Sequence, residues 1–382
     1  SETDWQDYVT RSSVSNDQSL AYSYNHNSGS VRATLGYQDL QGVIKNSGLK
    51  RISARVNAYQ RFFDDRLNLS LQGTYSNVNE QQPPLSGTAG FRGDLLGASY
   101  SANPTWPIDP DLDTGGQINP VNMLTYTDSN TETNRFLMNF SADYKIIPEL
   151  VAKITLGYDK SQSERHSETS GLSRNLGDNV FGNGIGSLND LDTESKLMEL
   201  TFTWDKNWDN SKLNLLAGYS FQDFRRSGRN VSGRGYNTND MGQMANDLRS
   251  SSSAIENLIS GSYQQYGVAP NNTFVNRLFP NITTDPIPGF ADTSVASVVG
   301  DTFDFTDELQ SFFTRANYTL MNKYLFTATV RIDGSSKFGG NNQYGVFPSA
   351  AFAWKINEED FIGDNVSTLK ARLSWGITGN QD

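Results

Sequence analysis

Three carboxylates stand at alternate positions in Ile108-Asp109-Pro110-Asp111-Leu112-Asp113-Thr114-Gly115, a spacing that invites a calcium loop. An EF-hand loop needs Gly at its sixth position and Glu at its twelfth. Those positions hold Thr114 and Pro120, so a plain Asp/Pro/Gly turn is the stronger reading. A second set of capable residues is aromatic: Tyr100, Trp106, Tyr126, Tyr236, Tyr263 and Tyr266 sit among Asn103, Asp109 and other amides and carboxylates. Ring faces stack on the apolar side of a sugar or a peptide group, and the amides satisfy its polar edge. These eight residues are the ligand-binding candidates. Arg92-Gly93-Asp94 has the form of an adhesion tripeptide, but three residues recur by chance. Nothing singles out a carboxylate pair for glycoside hydrolysis, so the chain reads as no enzyme, with no catalytic residue, metal or cofactor expected.

Composition narrows the classes further. The 382 residues hold 31 Lys plus Arg against 42 Asp plus Glu, a formal charge of −11. That balance opposes a nucleic-acid partner, whose phosphates need clustered cations. Cysteine is absent, which removes disulfides, thiolate metal sites and lipidated cysteines together. His26 and His166 are the two histidines, too few for a histidine-rich zinc site and a poor basis for a serine triad. No run approaches the roughly 20 consecutive apolar residues of a spanning helix. A spanning β-barrel survives this test, because its strands need an apolar residue only at every second position.

That period runs through the chain. Leu213, Leu215, Ala217, Tyr219 and Phe221 alternate with Asn214, Gly218, Ser220 and Gln222, and Leu67, Leu69, Leu71 and Tyr75 alternate with Asn68, Ser70, Gln72 and Thr74. Side chains alternate faces along a strand, so each segment has one greasy and one wet side. Similar stretches predict about twelve antiparallel strands, many near the 9–11 residues of a bilayer crossing. Short turn-forming links fall at Asn27-Ser28-Gly29, Phe63 to Arg66, Ile147-Pro148-Glu149, Asn207 to Asn210 and Met321-Asn322-Lys323. Long excursions, about 77–134, 159–194 and 223–307, alternate with them. Short turns at one end and long loops at the other are the habit of outer-membrane barrels, whose long loops face outside the cell.

A soluble β-sandwich would also alternate, but it would bury its aromatics in mid-strand between two sheets. Here Tyr75, Tyr144, Tyr158, Trp204, Tyr219, Tyr318, Tyr324, Trp354 and Trp375 are expected toward strand ends, as in a girdle at the lipid–water boundary. The opposite phase carries Arg51, Arg55, Lys153, Glu199, Arg315, Arg331, Lys370 and Arg372, which suits a watery lumen. The competing class is a soluble, secreted carbohydrate-binding β-protein using the same loop aromatics.

Arg331-Ile-Asp333-Gly334-Ser335-Ser336-Lys337-Phe338-Gly339, then Tyr344-Gly-Val-Phe347-Pro348-Ser349, and later Trp375-Gly-Ile-Thr-Gly379-Asn380, form a distinctive block. It resembles the SusC/RagA family of TonB-dependent outer-membrane transporters of Bacteroidota. Thr3-Asp4-Trp5-Gln6, Gly36-Tyr37, Asn103-Pro-Thr-Trp-Pro107 and Asn119-Pro120 are similar to earlier parts of the same barrel. The resemblance implies an all-β antiparallel transmembrane barrel of about 22 strands, filled by a plug and energised by the TonB-ExbB-ExbD complex. It implies a SusD-like surface lipoprotein as partner, contact with outer-membrane lipid, and import of oligosaccharide or peptide nutrients. On this reading residues 1–382 are one partial barrel, roughly strands 2 to 13, lacking the plug and the last strands. A siderophore receptor is the alternative within the membrane class, and the motif block argues against it.

Overall fold

The structure is a computed structural model that describes residues 2–85, 94–174, 182–253, 295–339, 343–362 and 366–379, and the backbone alone of 254–256, 263–268, 274–276 and 283–284. A short helix α1 (Trp5–Val9) precedes four strands, β1 (Ser15–His26), β2 (Gly29–Gln41), β3 (Gly48–Phe62) and β4 (Leu67–Gln81). Helices α2 (Leu95–Ser101) and α3 (Pro120–Thr125) lead to β5 (Thr127–Ile147), β6 (Leu150–Thr169), β7 (Ile185–Trp208) and β8 (Ser211–Tyr236). Next come α4 (Met241–Glu256) and the short strands β9 (Tyr263–Val268), β10 (Phe274–Asn276) and β11 (Thr283–Thr284). The series ends with β12 (Val295–Leu320), β13 (Tyr324–Ser335), β14 (Tyr344–Lys355) and β15 (Lys370–Gly376).

Twelve strands form one antiparallel path, β1 to β8 followed by β12 to β15, and every step joins neighbours along that path. β9 pairs with β12 above the end of β13 and carries β10 and β11 beside it. Among the described residues the sheet does not close on itself. The predicted short turns all close hairpins. Phe63, Asp64 and Asp65 take φ of 55°, 52° and 64° to reverse the chain between β3 and β4, a left-handed conformation that Asp tolerates better than most residues.

Two-residue periodicity becomes geometry in the lateral rows. Leu69, Ala142, Ile154, Leu200, Tyr219, Phe312 and Ile332 lie side by side across seven strands. One residue along, Ser70, Ser141, Thr155, Glu199, Ser220, Ser311 and Asp333 form the matching row on the opposite face. A slip of one residue at any ladder would mix the two rows, so the register is strongly specified. No second sheet covers the apolar side among the described residues: Leu20 is 71% exposed and Leu373 74%. A soluble sandwich would seal such residues between layers, whereas a barrel wall leaves them for lipid.

The strands run further than the alternation suggested. β7 has 24 residues and β8 and β12 have 26, more than twice a bilayer crossing. The long connections are therefore 82–126, 170–184 and 237–294 rather than the wider intervals expected. In the added lengths Asn, Thr, Ser, Asp and Arg occupy both faces, so hydropathy loses its period while ladder pairing continues. The aromatic placement shifts for the same reason. Tyr144, Trp204, Tyr318, Tyr324 and Trp354 do lie near the short-turn end, but Tyr75, Tyr158 and Tyr219 stand in mid-strand as a second row. Each is eight residues beyond the first residue of its strand (Leu67, Leu150 and Ser211), about 20 Å after allowing for tilt, comparable to the apolar band of a barrel.

Candidate functional site: the polar face and the long connections

The polar face has a hollow of about 370 Å³ at β1 to β4, lined by Asp17, Arg32, Gln38, Arg51, Arg55 and Asn57 among others. Gln38 Nε2 donates to Asp17 Oδ2 at 2.7 Å, which occupies the acid that neighbours the arginines. Three guanidinium groups thus gather on one wall of an otherwise acidic chain. Such a wall attracts carboxylate, phosphate or sugar hydroxyl oxygens, which Arg holds through paired N–H donors.

At the long-connection end the chain builds a small cap. Asp4, Asp94 and Asn119 each accept backbone N–H bonds at the start of α1, α2 and α3, and Pro120 follows the Asn119 cap. Val9, Leu95, Ala98 and Met123 meet in one buried cluster, and Trp5, Ala102 and Val121 in another. The Trp5 indole donates to the Asn103 carbonyl at 2.9 Å, Thr3 N donates to Pro104 O at 2.7 Å, and Thr3 Oγ1 to Trp106 O at 2.8 Å. Asp94, the last residue of the adhesion-like tripeptide, is spent as a buried helix cap, while Arg92 and Gly93 lie outside the described residues.

The loop candidates separate by environment. Tyr100 projects from α2 and is 75% exposed. Asn103 makes a turn, its Oδ1 accepting from the Thr105 N–H and hydroxyl. Trp106 packs beside Trp5, Ala102 and Val121. Asp109 accepts from the Asp111 N–H at 2.9 Å, and the Tyr126 hydroxyl donates to Asp111 at 2.6 Å. That bond to a carboxylate pushes the Tyr126 phenol up to about 12. Asp113 turns away toward the Gly115 N–H and Arg174, so the three alternate carboxylates serve three different partners. Tyr236 is a correction: it is buried with Leu188, Val231, Met244, Leu248, Val295 and Val298 beneath α4. Its hydroxyl lies over Gly186, where a Cβ would come within 2.3 Å, so bare glycine makes room for the ring. Tyr263 and Tyr266 have backbone positions in β9, and their side chains lie outside the described residues.

The motif block serves architecture. Arg331 reaches both Asp333 oxygens, at 2.6 and 2.9 Å, and the Ser311 hydroxyl on β12. Ser336 ties the β13 end to β12 twice, accepting from Glu308 N at 2.8 Å and donating its own N–H to Glu308 O at 3.0 Å. Ser335 is buried and its hydroxyl accepts from Lys337 N, while Phe338 N closes the turn on Ser335 O. Gly334 lies under Tyr344, whose hydroxyl donates to Gln310, and Gln310 donates on to Tyr219. Phe347 covers Gly379, and Pro348 and Ser349 sit in the β13–β14 ladder opposite Val330 and Thr329. Asn380 lies outside the described residues. At the short-turn end, Glu359 accepts from Tyr324 at 2.7 Å, Trp354 at 2.9 Å and Lys323 at 3.0 Å, which together hold its carboxyl down at about 2.

Sequence reasoning missed the helices of the cap and α4. For the cap helices the signals available were the caps themselves, Asp4, Asp94 and Asn119-Pro120, because helices of five to seven residues are too short to show a 3.6 period. For the 16-residue α4 the signal was Asp240, whose carboxylate accepts from the Gln243 N–H.

One face bare and apolar, one face charged, short turns below and long connections above define a wall of an outer-membrane-type β-barrel. Residues 151–380 match the family described as TonB dependent receptor-like, beta-barrel, and the chain belongs to that family. It is 27% identical to the TonB-dependent receptor SusC of Bacteroides thetaiotaomicron, covering 100% of this chain and 35% of that protein. It is 29% identical to the TonB-dependent receptor P3 of Formosa agariphila, covering 99% of this chain and 34% of the relative. The chain spans about a third of the length of these curated relatives. Its fold matches the solved RagAB peptide transporter with a TM-score of 0.68 at 17% identity, over 100% of this chain and 38% of that one. The RagAB peptide importer in its open-open state gives 0.69 at 16% identity, with 99% and 38% covered.

Proposed function

We propose that this chain forms wall and outer loops of a TonB-dependent importer in the outer membrane, taking up oligosaccharides or peptides too large for simple porins. The observation that carries the reading is the pair of opposed lateral rows: a continuous apolar row left bare beside a continuous polar one. Water on both sides would make the first row an aggregation surface, and lipid on one side resolves it. The family and the SusC and RagAB likenesses support TonB as the energy source and a SusD-like lipoprotein as the partner over the long connections. Tyr100, with the polar atoms around Asn103 and Asp109, would meet cargo at the mouth, and Arg32, Arg51 and Arg55 would face it along the wall. The chain itself makes and breaks no bonds in this role. The test is uptake of labelled oligosaccharide and peptide pools by cells carrying the whole receptor, with and without a protonophore. Uptake that collapses when the proton gradient is lost supports the reading. Entry that persists unchanged without the gradient overturns it.

A further inference from the structure

Asp128 on β5 stands directly opposite Glu168 on β6, and Asn130 opposite His166, two rungs apart on the same face of the ladder. One donor atom each from Asp128, His166 and Glu168 lie within 4.8 Å of one another. Glu168 is 1% exposed, and its Oε2 accepts from His166 Nδ1 at 2.8 Å. Its other oxygen, Oε1, is sealed from solvent and receives no hydrogen bond, and Asn130 Oδ1 beside His166 is in the same condition. A buried carboxylate oxygen without a donor costs several times what a neutral group does, so native chains seldom leave one. The neighbouring cation, Arg249 of α4, gives its hydrogen bond to Glu164 and acts on Glu168 through charge alone, so Oε1 stays without a donor. What remains is a half-buried nest of acceptors gathered around one imidazole, with Glu168 sealed at its base.

We propose that Asp128, His166 and Glu168 bind a single divalent transition-metal ion of the zinc class. An imidazole with two carboxylates is a borderline donor set that suits Zn²⁺, whereas calcium takes six to eight oxygens and Cu(I) prefers sulfur. Metal–ligand bonds of about 2.0–2.2 Å in a tetrahedron separate ligand atoms by roughly 3.4 Å. The ladder pins both backbones, so the remaining contraction falls to rotations of three side chains. The site lies in the upper length of β5 and β6, beyond the Tyr158 row. There α4 packs on β6, β7, β8 and β12, and its Arg249 reaches Glu164 two residues before His166. An ion here would lock the β5–β6 ladder beneath that helix, independently of whether the receptor imports glycan, peptide or anything else.

The experiment uses the whole receptor in detergent, stripped with chelator, reloaded with ZnCl₂ and desalted, with bound metal counted by mass spectrometry. Wild type should retain one more zinc per chain than His166→Gln or Glu168→Gln, with both variants shown to be folded by their heat-modifiable migration. Equal zinc in all three proteins would overturn the proposal. A second measurement needs no variant: zinc at micromolar concentration should slow amide exchange in residues 127–130 and 165–169 at least ten-fold. Unchanged exchange there, or protection by calcium and not by zinc, would overturn it as well.

Discussion

The indole N–H of Trp5 donates to the backbone carbonyl of Asn103 at 2.9 Å, joining residues 98 positions apart in the chain. Both belong to segments that look family-like in sequence, and their meeting shows that those segments recognise each other. Trp5 is 3% exposed, so its N–H has no water to fall back on.

Trp5→Phe keeps most of the ring volume and removes the donor. The Asn103 carbonyl then loses its partner, and α1 to α3 should open more often by about 1 kcal/mol, or about five-fold in amide exchange across residues 95–125. Exchange by mass spectrometry on the folded receptor reads it directly. An unchanged rate would mean that this bond does not hold the cap.

Glu359 makes the short-turn end sensitive to acid. Its folded value, about 2, lies below the roughly 4.3 of an unfolded Glu. The stabilisation it gives is therefore complete above about pH 4 and is lost as pH falls through about 2. In wild type the fluorescence of Trp354, which donates to Glu359, should titrate in that window. Glu359→Gln should abolish the titration. The comparison to make is the pH difference spectrum of the two proteins, and identical curves would rule Glu359 out as the responsible group.

Gly334 leaves no room for a side chain. A Cβ there would lie 2.5 Å from the Tyr344 ring, whose hydroxyl is bonded to Gln310 at 2.7 Å. Gly334→Ala should displace Tyr344, break the Tyr344–Gln310–Tyr219 relay and destabilise the barrel by about 1–3 kcal/mol in denaturant unfolding. Tyr344→Ala in the same background should recover much of the packing cost, which separates crowding from a backbone effect.

Adjacent residues on β4 should respond oppositely to the same change. Leu71 lies in the apolar phase beside Phe140, and Gln72 points to the other side beside Asn139. Leu71→Arg should cost about 2–4 kcal/mol of membrane stability, the scale of a charge near the bilayer midplane, while Gln72→Arg should be nearly neutral. Refolding into lipid vesicles followed by heat-modifiable migration measures both. Equal losses would contradict the assignment of faces.

What the sequence made legible, and what it hid, follows one physical rule. Where one side of a strand faces lipid and the other water, composition alternates, and the strands from Leu67 to Trp375 could be read from that contrast alone. Above the second aromatic row both sides meet polar surroundings, the contrast vanishes, and strands such as β8 run on through Arg225 to Tyr236 without announcing themselves. Single-residue roles were harder still. Tyr236 and Tyr100 are the same residue type among similar neighbours, yet one is sealed under α4 and the other stands in solvent. Only the path of the chain decides between them. The motif block was correctly distinctive, but its reason is mechanical: Ser336, Gly334 and Arg331 fasten β13 to β12 and leave space for Tyr344.

The helix α4 has one more consequence. It departs from β8 and the chain returns as β12, its immediate neighbour, yet on the way it reaches over β7 to grip Glu164 on β6 through Arg249. Long antiparallel ribbons standing clear of a bilayer would ordinarily splay and twist against one another. A crossbeam spanning four of them turns that palisade into a stiff plate, so any bending at the mouth is concentrated in the connections above it and not in the wall.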